Sequence, residues 1–153
     1  GTFMGRNIII ATVVALVATT TVVILILSGR GTADDHQTDD VAEGRQLYLE
    51  HCAACHGNAL EGQPNWRDRL PNGRMPAPPH DETGHTWHHS DEQLFRITRD
   101  GVAAIVGGNY ESDMPGFGAA LTDDEIWAVL EYIKSTWPQR ERDYQVQRSE
   151  QDR

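Results

Sequence analysis

Cysteine is nearly absent from this chain of 153 residues, which has two, Cys52 and Cys55. Without a second closely spaced ligand pair, structural zinc of the usual four-ligand form is disfavoured, though a distant histidine could still complete such a site. No alternation of strand and helix patterns surrounds the pair, which argues against a thioredoxin-like redox site. Aromatic side chains are also scarce, at 7 %. A soluble domain of about 100 residues with so few large side chains has a thin core. Positive charge is short as well. The net charge is −10, and because the first 30 residues carry only Arg6 and Arg30, the remainder holds −12. Such acidity argues against nucleic acid and an anionic membrane surface as partners. It suits a partner with a basic docking surface, or is a solvated face kept for solubility.

The two cysteines lie in Cys52-Ala53-Ala54-Cys55-His56. Two thiols one helical turn apart, followed by histidine, form a haem c attachment signal. Each thiol can make a thioether with one vinyl group of the porphyrin, and the next residue is then held beneath the ring as an iron ligand. A covalent porphyrin also supplies apolar surface that the protein itself lacks.

Residues 1–7 precede twenty uncharged residues, Ile8 to Leu27, long enough to cross a bilayer as a helix. We read 8–28 as a transmembrane anchor with 1–7 on the cytoplasmic side. In the alternative reading the stretch is a signal peptide, with Gly31-Thr32-Ala33 as its small-residue cleavage site. Arg6 and Arg30 flank the stretch and leave its orientation open. Residues 29–38 are polar, acidic and glycine-containing, the composition of a short flexible linker. A helical pattern then runs from Asp39 through Val41, Gly44, Leu47 and Tyr48 into Cys52. Gly44 costs about 1 kcal/mol against alanine inside a helix, and close approach of a second helix would explain it.

Gly57 to Thr86 reads as one long loop, reasonable round a large cofactor. Ser90-Asp91-Glu92-Gln93 predicts a capping box and a short helix ending near Gly101, followed by a second loop to Gly118. Thr122-Asp123-Asp124-Glu125 predicts another box, ahead of a helix with Ile126, Val129, Leu130 and Ile133 that Trp137-Pro138 ends. Residues 138–153 read as a polar tail, frayed or an exposed helix, without chemistry.

A second iron ligand must come from the methionines or histidines. Met114 sits in Asp113-Met114-Pro115-Gly116-Phe117-Gly118, and Met75-Pro76 competes with it. At this point the stretch from Asp39 to Trp137 resembles a class I monohaem cytochrome c, in a membrane-anchored bacterial form. The resemblance implies an all-α fold of three to four helices around a covalent haem, preceded here by one transmembrane helix. It implies thioether links at Cys52 and Cys55, His56 as proximal and Met114 as distal ligand, and a proline carbonyl, Pro78 or Pro79, accepting the proximal histidine's free N–H. The family's crossing of first and last helices falls on Gly44 and Tyr48 against Val129 and Tyr132. Arg74 and Trp87 are candidates for hydrogen bonds to haem propionates, with ordinary loop packing as the alternative.

Because such haem is attached outside the bacterial cytoplasmic membrane, the resemblance also places residues 39–137 on the periplasmic side. The implied function is one-electron transfer, with a quinol:cytochrome c oxidoreductase on one side and a terminal oxidase or photosynthetic reaction centre on the other. The chain would be a free carrier or a fixed subunit of such a complex. A haem enzyme or sensor with a labile distal ligand is the alternative. His80, His85, His88 and His89 also cluster within ten residues. That suggests a copper or zinc site, or else a polar loop with hydrogen-bonded histidines.

Overall fold

The computed structural model describes residues 38–153, and the expected anchor at 8–28 lies outside them. Among the described residues there is no strand, and no helix is long and apolar enough to cross a membrane. The first helix, α1, covers residues 38–51. It turns at Cys52 and continues as α2, Ala53–His56, with His56 N–H still donating to Cys52 O at 3.0 Å. The remaining helices are α3 (Asp91–Asp100), α4 (Val102–Val106), α5 (Asp123–Ser135) and α6 (Gln139–Gln151), with a 3-10 turn at Thr86–His88.

The caps follow the sequence in different degrees. At Thr122 both halves of the capping box form, Thr122 Oγ1 accepting from Glu125 N–H while the Glu125 carboxylate accepts from Thr122 N–H. At Ser90 the side chain accepts from Gln93 N–H at 3.3 Å.

The core is built where α1 meets α5. A Cβ on Gly44 would sit 1.9 Å from Ala128 O, so the two backbones touch where the first helix has no side chain. One turn on, Tyr48 and Tyr132 pack with ring centroids 5.4 Å apart. Tyr48 is fully buried, and its hydroxyl donates to Gly57 O at 2.8 Å, holding the end of α2. Ile126, Val129, Leu130 and Ile133 of α5 complete this core with Leu94 and Phe95 of α3, and Trp127 stacks on Phe95 at 4.7 Å.

Two expectations are corrected. The loop from Gly101 to Gly118 contains a helix, α4, whose five apolar residues Val-Ala-Ala-Ile-Val are too short a run to show a period. Of the two readings of the tail at 138–153 the helix is the one that forms, but it is docked rather than wholly exposed. Its helix α6 packs on the 3-10 turn and on α3, burying Gln145 and Glu141. Polar residues do the anchoring, which is why an apolar pattern did not reveal it. Gln145 Nε2 donates to Asp91 Oδ1 at 2.8 Å and to Ser149 Oγ at 3.0 Å, and Asp91 also accepts from Lys134 Nζ at 2.9 Å. Partial burial pushes the Asp91 carboxyl up, but the bonds from Lys134, Gln145 and Ser149 together hold it below its ordinary value.

Replacing Gly44 with alanine gains helix propensity but forces α1 off α5. A net loss of roughly 2 kcal/mol is expected, read as a lower midpoint in thermal or denaturant unfolding. Because Asp91 is depressed in the folded state, its pairing contributes fully above the ordinary carboxylate range and is lost as pH falls through the lowered value. Lys134→Met should therefore cost about 1 kcal/mol at neutral pH. Stability curves of the two proteins should converge in acid.

Candidate functional site

The site begins at the kink between α1 and α2. Cys52 is half-buried and Cys55 exposed, both as free thiols. Burial, with Cys55 nearby, pushes the Cys52 thiol up to about 11, so it stays protonated at neutral pH. His56, at the end of α2, is buried, and its Nδ1 lies 2.8 Å from Pro78 O. A carbonyl only accepts, so the proton is on Nδ1 and Nε2 keeps a free lone pair. Burial lowers the His56 pKa and outweighs the opposing pull of the Pro78 carbonyl, favouring the neutral imidazole that a metal requires.

Several backbone constraints aim that carbonyl. Prolines cannot donate hydrogen bonds, so residues 77–80 have only two backbone N–H groups. Both are used: Ala77 N–H donates to Gln63 Oε1 at 2.8 Å and His80 N–H to Leu60 O at 2.8 Å. Gly62 N–H donates to His56 O at 2.7 Å. Gly62 has a φ of +66° and would place a Cβ 2.4 Å from Pro79 N, so only glycine allows the loop to pass here. On the other side, a Cβ on Gly84 would lie 2.0 Å from Pro79 O. Pro78-Pro79 is thus gripped between two glycines, and Pro78 is the residue that reaches His56. Gly62 and Gly84 were not singled out from the sequence, although two glycines flanking a proline pair were there to be seen.

Met114 is half-buried in a loop strapped to the end of α3. Phe117 N–H donates to Thr98 O at 2.9 Å and Gly118 N–H to Arg99 O at 3.0 Å, occupying carbonyls that the end of the helix leaves open. A Cβ on Gly116 would meet Arg99 O at 2.7 Å, so the close approach depends on glycine. Arg74 pairs with Asp113 and lies 3.7 Å from Glu111, bringing the neighbouring Met75, also half-buried, alongside the Met114 loop. Both methionines therefore belong to adjoining segments.

Trp87 turns towards α6. Its indole N–H donates to Glu82 O at 3.4 Å, and its ring stacks on His88 at 3.7 Å and meets Tyr144 edge-on at 5.3 Å. None of these partners belongs to the Cys-x-x-Cys-His segment. The histidines do not gather round one point. His85 stacks on Trp66 at 5.3 Å and meets His89 edge-on at 5.4 Å, while His88 stacks on Trp87 and His80 on His56 at 4.0 Å. Among the described residues no group of three or more His, Cys, Asp or Glu is disposed to hold a metal, which corrects the copper or zinc reading of His80 to His89.

A family model described as cytochrome c matches residues 41–137. The chain belongs to the cytochrome c family. Over 97 residues it is 31 % identical to a thiosulfate dehydrogenase of Stutzerimonas stutzeri (strain A1501), covering 63 % of this chain and 27 % of that protein. The chain thus spans about a quarter of that relative's length. No solved structure matches it. The cytochrome c domain takes haem c, covalently bound through Cys52 and Cys55. The donor set fits this group, with two free thiols one turn apart and a neutral imidazole that has one nitrogen anchored and the other free. The wholly apolar α4, none of whose residues is buried by protein, leads into the Met114 loop and offers surface that a porphyrin can cover.

Gly62→Ala should displace Pro78 from His56. In haem-loaded protein the expected result is a loss of roughly 1–3 kcal/mol, measured by thermal unfolding, with loss of the slowly exchanging His56 Nδ1–H resonance.

Proposed function

We propose that this cytochrome is a one-electron carrier with His56 as proximal and Met114 as distal iron ligand, relaying electrons between membrane-bound oxidoreductases. One observation carries the reading: buried His56 has its Nδ1 committed to Pro78 O at 2.8 Å, immediately after the two attachment cysteines. Haem c supplies a one-electron iron couple. The chain's residues hold that couple in one geometry. The Pro78 carbonyl fixes the imidazole and raises its basicity, and the thioether sulfur of Met114 favours the ferrous state, giving a comparatively high potential. Between the two methionines, the straps from Thr98 and Arg99 favour Met114, since they hold its loop in place.

The charge-free stretch Ile8 to Leu27 supports a single anchor at 8–28 in the bacterial cytoplasmic membrane, with the haem domain on the periplasmic side. The net charge of −12 beyond Arg30 supports docking to a partner with a basic surface. A quinol-oxidising complex as donor, and a terminal oxidase or reaction centre as acceptor, suit a carrier confined to that plane. Similarity to part of a thiosulfate dehydrogenase supports a second assignment, as the electron-carrying subunit of an oxidoreductase complex. The acidic surface would repel an anionic substrate, which favours electron transfer over substrate binding by this domain.

The ferric spectrum of the haem-loaded protein tests the ligands. Its weak far-red sulfur-to-iron band should vanish in Met114→Ala and persist in Met75→Ala. The converse would move the ligand to Met75. Rapid carbon monoxide binding by the reduced wild type at neutral pH would instead establish a labile sixth position and a sensor or enzyme.

A further inference from the structure

His80 lies two residues past the carbonyl that holds His56, and its imidazole stacks on that of His56 with centroids 4.0 Å apart and planes 21° from parallel. Its backbone is pinned on both sides. His80 N–H donates to Leu60 O at 2.8 Å, and His80 O accepts from the buried Trp137 indole N–H at 2.7 Å. Its side chain is oriented too. Nδ1 lies 2.8 Å from Thr86 Oγ1, whose hydroxyl faces Pro79 O at 3.4 Å. A hydroxyl has one hydrogen, and given to Pro79 O it leaves a lone pair to accept Nδ1–H of His80. Tyr48 closes the edge at 6.4 Å and 73°.

The Pro78 bond restrains His56 at one edge of its ring, through Nδ1. A flat ring pressed on its face adds a second restraint on the ring plane, whereas a flexible aliphatic side chain would supply a weaker one. We infer that His80 is a positioning residue that, together with the Pro78 carbonyl, fixes the plane of the proximal imidazole, with Thr86 holding His80 in turn. This rests on His56 as the iron ligand.

In the ferric state the imidazole plane determines how unpaired spin is distributed over the porphyrin, and proton NMR reads this as the order and spread of the haem-methyl shifts. His80→Phe, which keeps a flat face, should retain the wild-type pattern. His80→Leu, which fills the space without one, should change the spread or the order, and Thr86→Val should do so less. Should His80→Leu reproduce the wild-type shifts, or His80→Phe disturb them as much as leucine does, the inference is overturned. His80→Leu keeps an apolar filling, and Thr86→Val gives an independent reading from a residue that does not touch His56. The wild-type spectrum separates this idea from the one beneath it. If it lacks the low-spin signature of histidine ligation, and His56→Ala leaves it unchanged, His56 is not the ligand. If that signature is present and the leucine variant is unaltered, only the role of His80 fails.

Discussion

Everything else in the domain depends on the contact between α1 and α5. At Gly44 the two backbones meet at a distance that leaves no room for a methyl group. Because α1 leads directly into the Cys-x-x-Cys-His turn, its placement against α5 decides where both thiols and His56 stand. Tyr48 extends the constraint, packing on Tyr132 with its ring and binding Gly57 O with its hydroxyl. A residue that costs helix propensity thus earns its place through what it lets approach.

The second constraint is the grip on Pro78-Pro79. A thin protein core cannot orient a metal ligand by packing alone, and here backbone geometry contributes much of the rigidity. Leu60, Gly62 and Gln63 on one side and Gly84 on the other enclose a segment whose prolines have no N–H to spend elsewhere. The loop from Gly57 to Thr86 is long and largely irregular, yet its middle is tightly specified. The Met114 loop is managed in a similar way, since the open carbonyls at the end of α3 bind Phe117 and Gly118 and so carry Met114 with them.

The sequence made these parts legible to different degrees, for physical reasons. Cys52, Cys55 and His56 are adjacent in sequence because their chemistry demands adjacency, and so they are easily read. Gly44 was conspicuous because a glycine inside a helix is costly. Thr122 and Glu125 form the box their spacing promises, whereas α4 escaped notice because five residues cannot display a helical period. A helix at α6 was one of two readings, and its docking went unforeseen because hydrophobic patterning is blind to an element held through Gln145, Asp91 and Ser149. In the histidine loop, nearness in sequence left a shared metal and a polar loop both open, and the rings instead meet aromatic neighbours, with His85 touching both Trp66 and His89.

The meeting of Gly44 with Ala128 also has a consequence for the order of assembly. These residues are separated by more than half of the chain, so the contact is a long-range one that no local folding event can form. During synthesis from the N-terminus, the cysteine pair emerges well before α5 exists to pack against its helix. The turn that receives the cofactor is therefore accessible early, and the domain closes late.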